Sequence, residues 1–335
     1  DIRAGQATST SITAEDGRVR DLSVGESCGA GLRVLVDGAW GFAMAGSHEA
    51  KELRRCLNDA LAMARAASAN VAEPARVAEA EPIEAVSRLP FRIDPTTVAL
   101  SERVRKVAAF EERARKHHAS IVNTRVHYYD GSSTVELVNS YGSYVRWENL
   151  GCGMYVVVTA ADEQTRQIAY DGRALPAGWE VVADLDVDQM AGDTAQRAVD
   201  LLAAREAPAG SMMVVLDPEI TGLITHEAFG HNCEADLVWA GESILAGKEG
   251  QQVAAEGVTV VDDPTLPGHN GSFEYDDEGL LAKRHVLLRN GVLQEYLHCL
   301  ETAAYFGTAD NGAARTASYT DLPIPRMSNT FIEAG

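Results

Sequence analysis

The sequence predicts an α+β fold, with antiparallel sheets and packed helices in its N-terminal part and a mainly β C-terminal domain carrying one HExxxH helix. Three observations predict it. Strand-like alternation and helical periodicity come in separate runs rather than in strict alternation, which favours antiparallel sheets. Asp16-Gly17, Asp37-Gly38 and Asn290-Gly291 punctuate alternating runs, where tight hairpin turns need positive φ angles. The 335 residues suffice for about two domains. We place these at 1–205, an N-terminal α+β domain, and at 206–335, a catalytic domain expected to be incomplete at its C-terminus, because the chain starts without Met and stops just after a strand-like run.

Residues 8–45 read as an antiparallel meander. From His48 to Ala69 the period changes, with Leu53, Cys56, Leu57, Ala60, Leu61 and Ala64 spaced by three and four, which predicts an amphipathic helix on the sheet. Residues 73–90, rich in Ala, Glu and Pro, read as a linker. A second helix is expected over 97–118 and a third over 186–206. Between them lies a second meander: strands at 121–129, 134–139, 144–148 and 155–159, with a turn at Asp130-Gly131. Met212 to Leu216 reads as a buried strand, followed by Pro218 and a helix. A hairpin, 285–288 with 292–297, is expected near the end.

Composition narrows the function. Asp plus Glu total 49 against 29 Lys plus Arg, a net charge of −20 without a basic stripe, which opposes nucleic acid as a partner. No apolar run reaches the 18 or more residues of a membrane span, so no membrane partner is expected. Five scattered cysteines without a CxxC pair suggest a reducing compartment and a cytoplasmic location.

The helix after Pro218 carries His226-Glu227-Ala228-Phe229-Gly230-His231, an HExxxH pattern. In the common zinc protease pattern the two histidines lie four apart, which brings both onto one helix face. Here they lie five apart. Five residues of regular α-helix rotate about 500°, leaving the imidazoles about 140° apart, too divergent to share an ion. The helix must therefore widen, and a π-like turn or a helix end at Gly230 is expected. Neutral imidazoles suit Zn²⁺, and an adjacent carboxylate suits the general base that takes a proton from water and returns it to a leaving amine. The same histidines could instead only cap or pack the helix, and spacing alone leaves both readings open.

The stretch Leu223 to Gly230 with His231, the later Ser272-Phe273-Glu274-Tyr275-Asp276-Asp277-Glu278-Gly279, and Pro325-Arg326-Met327-Ser328-Asn329-Thr330 together resemble the TldD/PmbA family of metallopeptidases. The early Gly29-Ala30-Gly31-Leu32-Arg33 and Gly41-Phe42-Ala43 extend the resemblance over most of the chain. It implies a cytoplasmic Zn²⁺ peptidase of the catalytic, TldD-like type that works as a homodimer or with a related subunit lacking the motif. Carried over position by position, His226 and His231 match the zinc ligands and Glu227 the catalytic glutamate. The family's third ligand is a cysteine in a Gly-rich segment, expected here beyond Gly335; within the chain, Cys233 and Cys299 (beside His298) are the candidates.

Other polar groups need weighing. Asp262-Asp263 and Asp276-Asp277-Glu278 lack the spacing of a calcium loop and read as turns, although Asp276 and Asp277, inside the family motif, could line the site. His269 and Arg315 lie in Gly-rich stretches where they could contact substrate. The function expected is zinc-dependent hydrolysis of unfolded or small, possibly modified, peptides inside a dimer cavity. The alternatives are a non-catalytic peptide-binding partner subunit with an incomplete metal site, and an amide hydrolase acting on a small metabolite.

Overall fold

The computed structural model describes residues 1–334. Three strands open the chain: β1 (Ile2–Glu15), β2 (Arg18–Val36) and β3 (Ala39–Ala45). The turns between them fall on the predicted dipeptides. Asp16 and Gly17 have φ of 47° and 78°, and Asp37 and Gly38 have 47° and 81°. Helix α1 (Ala50–Ser68) follows. It buries Cys56, Ala60 and Ala64 against the sheet, while Leu57 stays exposed. The contact is close. A Cβ on Gly41 of β3 would lie 1.9 Å from the Ala60 carbonyl oxygen, so only glycine permits this approach.

The expected linker contains a strand, β4 (Glu84–Arg88), which joins the main sheet in parallel with a later strand. Helix α2 (Leu100–Arg115) leads to β5 (Ile121–Val138), β6 (Tyr144–Ala161) and β7 (Arg166–Leu175). Here the meander differs from expectation: β5 runs straight through Asp130-Gly131, and β6 is one strand rather than two. Neither Asp130 nor Gly131 takes the positive φ that a hairpin needs. The buried Asp130 carboxylate instead accepts from Arg103 Nη1 at 2.6 Å and from the Tyr128 hydroxyl, which hold it in the sheet. The resulting seven-stranded sheet has the order β3-β2-β1-β5-β6-β4, with β7 also on β6.

Helices α3 (Glu180–Ala183) and α4 (Val187–Leu202) complete this half. Alternate residues of β5 and β6, among them Val126, Tyr128, Met154, Val156 and Val158, meet Val107 and Phe110 of α2 and Ala191, Ala195 and Ala198 of α4 in the main core. Residues Met212–Leu216 form no strand and are not buried; Met213 and Val215 are almost fully exposed. An apolar run becomes a strand only with a neighbour to pair with, and among the described residues this one has none.

Helix α5 (Pro218–Ile224), a π turn (Thr225–Gly230), a short 3₁₀ turn (His231–Cys233) and α6 (Ala235–Trp239) follow continuously. A four-stranded sheet then forms from β8 (Val260–Asp262), β9 (His285–Arg289), β10 (Val292–Leu293) and the final β13 (Thr330–Ile332). The β9–β10 turn is the expected Asn290-Gly291, with φ of 48° and 80°. Between β10 and β13 lie α7 (Leu300–Phe306) and the two-stranded β11 (Ala314–Arg315) and β12 (Ile324–Pro325). Antiparallel sheets with segregated helices make the fold α+β.

The two halves are joined by buried polar contacts. Arg33 of β2 reaches Glu278 at 2.9 Å, and Trp147 Nε1 of β6 donates to the Tyr275 carbonyl at 3.1 Å.

Candidate metal centre

Asp217 caps α5, its carboxylate accepting from Ile220 N at 2.8 Å, and Pro218 occupies the first turn, where its missing N–H costs nothing. The helix then widens where expected. Residues 225–230 form a π turn closed by the His231 N–H donating to the His226 carbonyl, so the two histidines are themselves the i and i+5 partners. Their ring centroids are 4.8 Å apart and nearly perpendicular. The ligand atoms of His226, Glu227 and His231 all lie within 4.8 Å of one another. A wide turn thus achieves what a regular helix could not.

Gly230 serves this turn by its size rather than by unusual torsion angles. Its φ and ψ of −60° and −49° are ordinary helical values, but a Cβ there would sit 1.9 Å from Met327 Sδ. The Pro325–Thr330 motif therefore packs directly beneath the histidines. Asp262 on β8 anchors that motif, accepting from Ser328 N at 2.8 Å and from the Ser328 and Thr330 hydroxyls at 2.6 Å each. Asp262, read as part of a turn, is in fact a buried strand residue, while Asp263 beside it does cap a turn through Thr265 N.

Behind His231 stands Glu234. Its carboxylate lies 2.9 Å from His231 Nδ1 and 3.2 Å from Arg326 Nη1. Burial pushes the Glu234 carboxyl up, while the hydrogen bond to His231 and the charge of Arg326 act the other way. Sequence reasoning missed Glu234, although its place three residues after His231 was a signal that the two share a helical turn.

The cleft in front of His226 and Glu227 has a volume of about 890 Å³. Tyr170 of β7, Glu219, Ile220 and Leu223 of α5, His226, Glu227, Leu266, His269 and residues 328–331 line it. Two elements far apart in sequence, β7 and α5, thus share one wall. His269 faces the same cleft as His226 and Glu227. Asp276 and Asp277 do not. Asp276 is buried at the junction of the two halves, its carboxylate accepting from the backbone N–H groups of Glu278, Leu280 and Ala314. Burial and the neighbouring Glu278 push its carboxyl well above the usual carboxylate range. Asp277 accepts from Thr316 N at 2.7 Å, and Arg315 lies over the Phe273 ring.

Neither in-chain cysteine joins the group. Cys233 is fully buried among Val238, Leu287 and Leu297, and burial pushes its thiol up. Cys299 precedes α7 and is pushed up to about 12, also by burial. A cysteine binds metal as thiolate, and burial in apolar surroundings opposes that form. His298 beside it is buried between Tyr296 and Phe306. Among the described residues, His226, Glu227 and His231 are the one group of this kind.

The fold is that of a family of metallopeptidases. Family models match the PmbA/TldA metallopeptidase domain 1 at residues 1–64, the central domain at 93–202 and the C-terminal domain at 209–335. A metalloprotease of Methanothermobacter thermautotrophicus is 36% identical over 342 residues, spanning 100% of this chain and 72% of the relative. The chain belongs to the PmbA/TldD metallopeptidase family. A zinc metalloprotease TldD homolog of Saccharolobus solfataricus is 23% identical over 100% of the chain and 72% of its own length. Among solved structures, a proposed DNA gyrase modulator from Thermotoga maritima superposes with a TM-score of 0.80 at 21% identity, covering 100% of this chain and 73% of that one. TldE from Thermococcus kodakarensis gives 0.74 at 20% identity, covering 100% and 74%. At such identities these two likenesses concern the fold. Among the described residues no helix is long and apolar enough to cross a membrane.

Proposed function

We propose that the chain is the catalytic subunit of a zinc-dependent metallopeptidase acting on unfolded or small peptides. The observation that carries this reading is the π turn, which gathers the ligand atoms of His226, His231 and Glu227 within 4.8 Å of one another despite the five-residue spacing, with His226 and Glu227 lining the cleft. Two imidazoles fit Zn²⁺ as ligands and the neighbouring carboxylate fits a general base, and a relative named a zinc metalloprotease supports the choice of ion. His226 and His231 would hold it. The family resemblance supplies the expected third ligand, a cysteine of a Gly-rich segment.

When bound, Zn²⁺ supplies Lewis acidity toward a carbonyl and lowers the pKa of water toward about 7. Glu227, exposed on the cleft, takes the proton of the attacking water at its carboxylate and delivers it to the leaving nitrogen. Tyr170 belongs to β7, which among the described residues pairs with β6 alone and so leaves one edge open beside the cleft. A peptide added along such an edge gains main-chain hydrogen bonds without demanding a particular sequence. The family resemblance implies pairing with a second, related subunit, as either a homodimer or a heterodimer.

The test is Glu227→Ala with an unfolded peptide as substrate. Hydrolysis should fall about 10²–10⁴-fold, the usual worth of a general base, while zinc content stays unchanged. Full turnover by that variant would overturn the reading. Peptide binding that a chelator leaves unaltered, with no hydrolysis by the unsubstituted protein, would mark a binding subunit instead.

A further inference from the structure

We propose that Glu234 is a positioning residue: it fixes which nitrogen of His231 carries the proton, and Arg326 of the Pro325–Thr330 motif holds it in place for that task. This rests on the metal-centre reading above and adds to it a residue outside the HExxxH motif.

The geometry gives His231 two different sides. Its Nδ1 lies 2.9 Å from Glu234 Oε2, and its Nε2 faces Glu227 at 4.0 Å. The same Oε2 accepts from Arg326 Nη1 and so faces His231 as an acceptor, which assigns the proton of a neutral His231 to Nδ1. Nε2 is then left with the lone pair that a cation requires, on the side of Glu227 and His226. A carboxylate behind a ligating histidine fixes both the ring's orientation and its tautomer.

Glu234 is itself buried and held by its neighbours. It is 1% exposed. Arg326 Nη1 donates to the same oxygen at 3.2 Å and also reaches Asp236 at 3.2 Å, while Met327 N approaches the other oxygen at 3.4 Å. On either side of Glu234 the backbone is tied to Leu297, by Leu297 N donating to the Cys233 carbonyl at 2.7 Å and Ala235 N to the Leu297 carbonyl at 3.0 Å. The relay Asp236, Arg326, Glu234, His231 thus connects to one imidazole a motif whose arginine lies 92 residues after Glu234. Met327 of that motif meets Gly230, and Ser328 and Asn329 line the cleft, so one segment supports the π turn from below and the cleft from the side.

The experiment compares the unsubstituted chain with Glu234→Ala and Glu234→Gln. In metal-free protein at mildly alkaline pH, ¹⁵N chemical shifts should report His231 protonated on Nδ1. In Glu234→Ala that tautomer should lose its dominance, and zinc affinity, measured by competition with a chelating dye, should fall about 10–100-fold. Glu234→Gln keeps an acceptor oxygen of the same shape, so it should retain the Nδ1 proton and lose less affinity. A merely structural role would not move the tautomer. An Nε2-protonated His231 in the unsubstituted protein, or equal zinc affinity in all three, would overturn the proposal. Absence of zinc binding by the unsubstituted protein would overturn instead the metal-centre reading beneath it. Should Glu234→Ala fail to fold, Glu234→Gln with Arg326→Ala decides: Arg326→Ala should weaken zinc binding while Glu234→Gln largely preserves it, and unchanged affinity in Arg326→Ala would remove the arginine from the relay.

Discussion

The backbone N–H of His231 donates to the carbonyl of His226, so the hydrogen bond that defines the π turn joins the two candidate ligands themselves. Side-chain convergence and backbone geometry here are one event. A regular α-helix would have placed that bond four residues back and turned the imidazoles apart.

The fit of Gly230 under this turn gives the first prediction. Gly230→Ala forces its new Cβ against Met327 Sδ, and overpacking of this kind costs about 1–3 kcal/mol. Urea denaturation should show that loss, and zinc affinity should drop as the turn shifts. In the double variant with Met327→Ala the two costs should be less than additive, because the clash vanishes. Strict additivity would show that Met327 is not what excludes a side chain at position 230.

A second prediction concerns the junction between the halves. Arg33 Nη2 meets Glu278 at 2.9 Å with both side chains largely buried, and Glu278 also accepts from Leu300 N at 2.6 Å. Removing one partner of a buried pair leaves an uncompensated charge, so Arg33→Ala should destabilise by about 3–5 kcal/mol. Adding Glu278→Ala should cost less than it does in the unsubstituted chain, since the unpaired carboxylate would be gone and only the Leu300 N–H would lose its acceptor. Chemical denaturation of the single and double variants measures the coupling.

The third prediction is a pH dependence. His298, packed against Tyr296 and Phe306, is held down at about 4, chiefly by burial; His285 acts in the same direction and Glu295 in the opposite one. A histidine whose folded pKa lies below the unfolded value of about 6.5 favours the folded state when neutral. Its contribution is complete above about pH 6.5 and is lost as pH falls to about 4, amounting to about 3 kcal/mol over that window. Unfolding free energies of the unsubstituted chain and His298→Leu, measured from pH 7 to pH 4, should therefore change in favour of the variant as pH falls. Parallel curves would refute the assignment.

Much of the fold was legible locally. The three Asp-Gly and Asn-Gly turns came from positive φ at adjacent residues, and the α1 stripe at Cys56, Ala60 and Ala64 from helical spacing. Asp130-Gly131 has the same dipeptide but not the turn, because Arg103, 27 residues away, holds its carboxylate inside the sheet. Met212–Leu216 has a strand's composition, yet composition does not provide a pairing partner.

By itself the sequence determined that HExxxH needs a widened turn, since that follows from rotation per residue alone. It also placed His226, Glu227 and His231 as the group to examine. Only the tertiary structure decided that Gly230 is required by Met327, that Glu234 and Arg326 stand behind His231, that Tyr170 and His269 border the same cleft, and that Asp276 and Asp277 belong to the junction. The division has one physical reason. Torsion angles and periodicity are set by neighbouring residues and can be read in a short window, whereas contacts between residues tens of positions apart are selected by packing the whole chain, which no local pattern encodes.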